Sequence, residues 1–119
     1  MTSMTPVRRP TTRLDRIHAE RAAARERVAR ARVLALVDGL ADAPVEIGPI
    51  GSLARGTFGP HSDVDLLVLG PVDPRLRLRI EQAVAAALRE TGLPYDVVYA
   101  CDLNPERLQE FADDYLPPS

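Results

Sequence analysis

A chain of 119 residues with 45% apolar and 27% charged residues has the size and composition of one folded domain. The net charge of −2 hides an asymmetry, because residues 1–37 carry nine Arg and three acids (+6) whereas the remainder carries six Arg and fourteen acids (−8). All fifteen basic residues are Arg, which excludes the Lys-dependent P-loop, and an aromatic content of 4% disfavours a protein that stacks single-stranded nucleic acid on its rings.

The cysteine content and the N-terminus indicate the compartment. Cys101 is the only cysteine, so the chain cannot form an internal disulfide and an oxidising compartment is not implied. The N-terminal residues contain no apolar stretch typical of a signal peptide, and no later run is long enough to cross a membrane. We therefore expect a cytoplasmic protein that does not contact a membrane.

The first predicted elements are a tail and a long helix. Residues 1–12 show no periodic apolar pattern and predict a flexible tail, with Thr12 as a candidate helix cap. Residues 13–39 predict a long N-terminal helix, because Ala, Arg, Glu and Leu dominate up to Gly39. We expect its last turns to pack on the domain and its charged first half to face solvent or a partner, including a second copy of the chain. The predicted apolar stripe consists of Leu14, Ile17, Ala24, Val28, Ala31 and Ala35, and towards the C-terminal end it is widened by Val33, Leu34, Leu36, Val37 and Leu40.

Strands and helices alternate in the rest of the chain. The predicted strands are residues 45–51, 64–70 and 95–100. The helix before the third strand starts near Asp73 or Pro74 and is closed by Gly92, and Asn104-Pro105 marks the start of a last helix that runs through about Ala112. This order predicts an α/β or α+β fold in which helices cover three strands.

Two acids alternate at the start of the second predicted strand. Asp63 and Asp65 share one face, because side chains in a strand repeat every two residues. Neighbouring carboxylates repel each other unless a cation lies between them, and carboxylates together with phosphates are the ligands that Mg²⁺ takes. Asp96 would join the pair if the third strand lies next to the second. Three carboxylates would then hold two cations.

The turn after the first predicted strand is suited to an anion. Gly51 has no side chain, so a phosphate can approach its backbone, and a helical turn from Ser52 would present free amide hydrogens and a hydroxyl. Arg55 has two interpretations: it holds a triphosphate, or it ties the turn to the sheet. We interpret His61, beside the acids, as an exposed loop histidine.

These residues resemble a known family. Gly51-Ser52, ten further residues and then Asp63-Val64-Asp65 resemble the DNA polymerase β-like nucleotidyltransferase superfamily, and the Ala54-Arg55-Gly56 and Ser62-Asp63 details are most similar to its minimal nucleotidyltransferases. The resemblance implies a mixed three-stranded sheet flanked by helices, within a domain at 13–119 whose catalytic core is 45–116. It implies Asp63, Asp65 and Asp96 as catalytic metal ligands for two Mg²⁺ ions.

The resemblance also implies substrates and a partner. The nucleoside triphosphate, ATP, would contact Gly51, Ser52, Arg55 and Ser62. Minimal nucleotidyltransferases are commonly antitoxins that transfer AMP to a tyrosine of a HEPN-type ribonuclease toxin, so a HEPN-type partner is expected. Two alternatives stay open: an antitoxin that acts by contact with a vestigial metal site, and a transferase acting on a small molecule such as an aminoglycoside. A nucleic-acid partner is not expected, because Ala and acids interrupt the Arg run of the first helix.

Overall fold

The computed structural model describes residues 12–117. The flexible tail predicted for residues 1–12 lies outside this range except for Thr12. Thr12 caps the long helix, because its side-chain oxygen accepts a hydrogen bond from the Asp15 amide at 3.0 Å. Within the described residues, no helix contains a segment that is both long and apolar enough to span a membrane.

The elements follow the predicted order, with small shifts at their ends. They are α1 (Arg13–Gly39), β1 (Glu46–Ile50), α2 (Gly51–Arg55), β2 (Val64–Leu69), α3 (Pro74–Ala87), β3 (Tyr95–Tyr99), a 3-10 turn (Ala100–Asp102) and α4 (Pro105–Ala112). The first strand ends one residue early, because Gly51 has a φ of 66° and turns the chain into α2. The helix α3 stops at Ala87 rather than at Gly92, and a turn with a positive φ at Glu90 fills the difference.

The three strands form one mixed sheet in the order β1-β2-β3. β1 pairs with β2 in antiparallel orientation, and β2 pairs with β3 in parallel orientation, with α3 as the crossover. The predicted mixed three-stranded sheet flanked by helices, with a long N-terminal helix, is therefore confirmed. β2 is the central strand, and its successive side chains point alternately to the two faces of the sheet.

The main core lies between one face of the sheet and the helices α1 and α3. Val64, Leu66 and Val68 of β2 are fully buried there, against Ile80 and Val84 of α3. On the opposite face Leu67 is also fully buried, and the α4 region covers part of that face. Both faces of the central strand are therefore covered, and the buried Leu side chains contribute about 1.5–3 kcal/mol each.

The buried stripe of α1 differs from the predicted one. The buried positions are Ala29, Val33 and Leu36, whereas Val28 remains 40% exposed. The stripe that we predicted through Val28, Ala31 and Ala35 was wrong, because these residues are exposed, whereas Val33, Leu36 and Leu40, which were predicted to widen it, are buried. The C-terminal half of α1 is apolar on several sides, so its sequence offers more than one helical stripe and the contacts with the sheet select one. The last turns do pack on the domain, as expected.

A short segment after α4 runs along the outer edge of β1. The Leu116 amide donates to the Pro49 carbonyl at 3.0 Å, and the Tyr115 hydroxyl donates to the Glu46 carboxylate at 2.6 Å. Pro49 is tolerated in β1 because this strand is at the sheet edge. Gly48 allows the close approach, since a β-carbon there would lie 2.6 Å from the Leu116 carbonyl oxygen.

Candidate active site

One row of the sheet brings two acids together. Asp65 of β2 is the register partner of Ile50 in β1 on one side and of Asp96 in β3 on the other. Directly paired residues on neighbouring strands point to the same face, and neighbouring strands lie about 4.7–4.9 Å apart. The adjacency of β2 and β3 that was assumed from the sequence is therefore present, and it places Asp96 beside Asp65.

The charge around Asp65 is not balanced. Burial raises the pKa of Asp65, and the negative charges of Asp63 and then Asp96 raise it further, whereas Arg55 lowers it. Asp65 is half-buried, and Asp63 and Asp96 are exposed. Burial and two like charges disfavour the ionised form of this carboxylate. A bound cation would favour that form again, because it places an opposite charge beside the carboxylate.

Asp63 occupies the position just before β2 rather than a place inside it. It shares with Asp65 the two-residue spacing, and it is close enough to disfavour ionisation of Asp65. Among residues 12–117, however, no three acidic, His or Cys side chains already form a set that encloses one metal ion. Their hard oxygen donors and uncompensated charge fit Mg²⁺, although the carboxylates are not arranged as a coordination shell.

The backbone of Gly51 packs against the side chain of Asp65. A β-carbon built on Gly51 would lie 3.0 Å from Oδ2 of Asp65, and the φ of 66° disfavours any residue with a side chain. Ser52 follows in α2 and is half-buried, and its carbonyl accepts from the Thr57 amide at 2.9 Å. The predicted Gly51-Ser52 pair thus begins the short helix α2, and it lies next to the predicted acid Asp65.

Ser62 and Arg55 each have a partner within the protein. The Ser62 hydroxyl accepts a hydrogen bond from the Gly59 amide at 2.8 Å, which closes the loop before Asp63. The Arg55 guanidinium donates to Oδ2 of Asp114 at 2.7 Å. The alternative in which Arg55 ties the turn to the sheet is not what this contact shows, because the ion pair ties α2 to the segment after α4. Contacts of Ser62 and Arg55 with a nucleotide stay predictions.

A cleft of about 290 Å³ opens beside Gly51 and Asp65. Its wall includes four carboxylates, from Asp65, Asp96, Glu110 and Asp114. Sequence reasoning missed Glu110 and Asp114, because both follow the strands by many residues and belong to no motif. For Glu110 the amphipathic pattern of α4 was a local signal, since it predicts that one face of that helix meets the domain, whereas Asp114 lies after α4 and had none.

The comparison with sequence families agrees with this geometry. Residues 32–116, well over half of the chain, match the family described as nucleotidyltransferase domain. This chain belongs to the nucleotidyltransferase domain family. The matched segment contains the whole sheet, the Gly51-Ser52 turn and all three acids. The residues that line the cleft therefore lie within the nucleotidyltransferase domain.

Two known proteins are similar to this nucleotidyltransferase domain. A solved structure described as a candidate minimal nucleotidyltransferase superimposes with a TM-score of 0.62 at 26% identity, over 78% of this chain and 95% of that one. The bifunctional uridylyltransferase/uridylyl-removing enzyme of Bordetella pertussis is 46% identical over 48 residues, which are 40% of this chain but 6% of that enzyme. The resemblance to nucleotidyltransferases is therefore confirmed, and the connection to a HEPN-type toxin stays a prediction.

Proposed function

We propose that this nucleotidyltransferase domain transfers a nucleoside monophosphate, AMP from ATP, to a hydroxyl group of a partner protein in an Mg²⁺-dependent reaction. The observation that carries the proposal is the row in which Asp65 lies beside Asp96 and under Gly51, in a chain whose residues 32–116 match the nucleotidyltransferase domain family. The partner we propose is a HEPN-type toxin, in which case the domain acts as its antitoxin.

Asp63, Asp65 and Asp96 are the residues proposed to hold two Mg²⁺ ions. When bound, such ions supply charge neutralisation at the triphosphate and activation of the acceptor hydroxyl. The carboxylates contribute oxygen ligands, and the pKa of Asp65 is raised first by burial and then by the charges of Asp63 and Asp96, which a cation would offset.

Gly51 and Ser52 are proposed to contact the triphosphate. The absence of a side chain at Gly51 leaves the space above Asp65 free, so the phosphate chain can lie close to both the backbone and the acids. Arg55 is proposed to leave Asp114 and bind a phosphate oxygen. Since this ion pair is exposed, breaking it costs only about 0–1 kcal/mol.

Transfer with labelled nucleotides tests the proposal. The domain is incubated with Mg²⁺ and each of ATP, CTP, GTP and UTP labelled at the α-phosphate, with and without the co-purified partner, and the partner is then analysed by mass spectrometry. Mass addition of one AMP on a partner tyrosine is expected. Transfer of UMP instead would correct the donor, a possibility motivated by the uridylyltransferase that is similar over 48 residues.

Matched variants identify the site. Asp63→Asn and Asp65→Asn are each expected to lower transfer by more than about a hundredfold, because a metal ligand is lost. Asp38→Asn, an exposed acid in the last turn of α1, is the control and should transfer like the wild type. Full activity in both site variants would overturn the proposed reaction.

A second candidate function is a binding module that neutralises its partner by contact. The favouring observation is the first half of α1, in which Arg13, Arg16 and Arg21 are exposed and Ile17 is half-buried. A variant with both Asp63→Asn and Asp65→Asn that still protects cells from the toxin would support this function. Loss of protection in that variant would support transfer.

A further inference from the structure

One arginine of α1 contacts the loop that leads into Asp63. Nη1 of Arg25 donates to the Gly59 carbonyl at 2.9 Å and to the Ser62 carbonyl at 3.3 Å, and Nη2 donates to the Ser62 carbonyl at 3.3 Å. The guanidinium also lies 5.4 Å from the ring centre of Phe58, which is buried. One planar group therefore holds both ends of the loop at once, which the fixed fork of Arg suits and the point charge of Lys does not.

The loop is closed within itself as well. The Gly59 amide donates to the Ser62 hydroxyl at 2.8 Å, and the Ser62 amide donates back to the Gly59 carbonyl at 3.3 Å. Among residues 12–117, these two bonds would be what holds the turn without Arg25, and both involve Gly59, the most permissive residue type. Arg25 adds a connection to a rigid helix.

Asp63 lies between two fixed neighbours. On its N-terminal side the Ser62 carbonyl is held by Arg25, and on its C-terminal side the Val64 amide donates to the Pro94 carbonyl at 2.8 Å. Val64 is fully buried. The side chain of Asp63 is exposed, so the direction of its carboxylate depends on the backbone that these two contacts hold.

The helix α1, which contains Arg25, packs firmly against the main core. Arg25 precedes Ala29 by one helical turn, and Ala29 and Val33 of the same stripe are buried in the main core. The loop is therefore tied to an element whose position is fixed by packing, 34 residues away in the sequence.

We propose that Arg25 is a positioning residue for the Asp63 carboxylate, because it fixes the backbone of residues 59–62 relative to the sheet. This inference rests on the proposed function, in which Asp63 is a metal ligand. Groups that orient a metal ligand from outside the coordination shell typically change metal affinity by about 10–100-fold when they are removed. Arg25 thus contributes to metal affinity without touching metal or nucleotide.

The test compares Arg25→Met with Arg32→Met, a control in the same helix. Arg32 donates one exposed hydrogen bond to the Ala87 carbonyl at 3.2 Å, on α3 and away from the cleft, so its loss removes an arginine contact to a backbone oxygen outside the site. Two quantities are measured: hydrogen exchange of residues 57–64, and Mn²⁺ affinity by the loss of the free-ion EPR signal in the presence of a non-hydrolysable ATP analogue.

We expect Arg25→Met to weaken Mn²⁺ binding by about tenfold and to raise the exchange rate of the Ser62 and Asp63 amides, whereas Arg32→Met leaves both as in the wild type. Wild-type affinity and exchange in Arg25→Met, or equal losses in Arg32→Met, would overturn the proposal. If Arg25→Met does not fold, Arg25→Lys decides, since a folded Lys variant with wild-type Mn²⁺ affinity would also overturn it.

Failure of the proposed function gives a different result. A wild-type domain that binds no Mn²⁺ would contradict the metal site itself, while the exchange comparison still decides whether Arg25 holds the loop. Unchanged exchange at residues 57–64 in Arg25→Met would then refute the positioning role separately.

Discussion

Gly51 and Asp65 approach each other so closely that a β-carbon on Gly51 would lie 3.0 Å from Oδ2 of the Asp65 carboxylate. The approach follows from the register, since Ile50 pairs with Asp65 and the chain turns into α2 at the next residue. The glycine therefore serves two needs, a positive φ and an open space above an acid.

Gly51→Ala should damage both stability and the site. The φ of 66° costs about 1–2 kcal/mol for a residue with a side chain, and the Asp65 carboxylate must shift by a few tenths of an ångström to admit the new methyl group. We expect a loss of about 1–2 kcal/mol in the free energy of unfolding, measured in urea, together with weakened binding of ATP and Mg²⁺. Gly39→Ala is the control, because nothing lies within 4 Å of a β-carbon there. Equal nucleotide binding in both variants would contradict this role of Gly51.

Asp65→Asn should stabilise the metal-free domain. Burial and the charges of Asp63 and Asp96 disfavour the Asp65 carboxylate, and Asn removes that charge at similar size. We expect a higher melting temperature than that of the wild type at neutral pH without metal. Addition of Mg²⁺ and ATP should raise the melting temperature of the wild type more than that of the variant.

The pH dependence of this effect has a definite sign. The pKa of Asp65 is raised above its ordinary value of 3.8, so the folded state holds the proton more tightly than the unfolded state. The stability contributed by this group is therefore present at acid pH and lost as the pH rises through the folded pKa. The advantage of Asn should shrink towards acid pH in thermal unfolding scans. An advantage that grows on acidification would contradict the assignment.

Asp114→Asn should strengthen nucleotide binding. Arg55 is held by Asp114 at 2.7 Å, and a phosphate must compete with that carboxylate for the guanidinium. Because exposed ion pairs contribute about 0–1 kcal/mol, we expect the Kd for Mg-ATP to fall by up to about fivefold in calorimetric titration. Arg55→Met should raise it. If Asp114→Asn weakens binding as Arg55→Met does, Asp114 orients Arg55 for the nucleotide rather than competing with it.

Gly48→Ala should detach the segment after α4. A β-carbon at Gly48 would lie 2.6 Å from the Leu116 carbonyl oxygen and 2.9 Å from Cε1 of Tyr115, so that segment must move. We expect a loss of about 1–3 kcal/mol in the free energy of unfolding and faster proteolysis after residue 112. Tyr115→Phe removes the bond to Glu46 while keeping the ring, and it should cost about 1 kcal/mol. Undiminished stability in Gly48→Ala would show that the segment is not held at β1.

The extent to which the site was predictable depends on the range of the contacts. Asp63, Asp65 and the Gly51-Ser52 turn belong to one short segment with a recognisable spacing, so their proximity follows from a strand and a turn. Asp96 required the assumption that β2 and β3 are neighbours, which their register shows. The partners Asp114 and Arg25 carried no such signal, because one acid or arginine among many is distinguished only by what it contacts.

The sequence by itself determined the local structure. Thr12, Asp73 and Asn104 cap three helices through bonds to amides three residues later, and such bonds depend on neighbours in the chain alone. The tertiary structure decided which stripe of α1 is buried and which acid forms an ion pair with Arg55. Tertiary contacts of this kind join residues tens of positions apart, 59 for Arg55 and Asp114 and 69 for Tyr115 and Glu46. Their energies depend on how the packed sheet and helices are placed in space, and no local pattern encodes that placement.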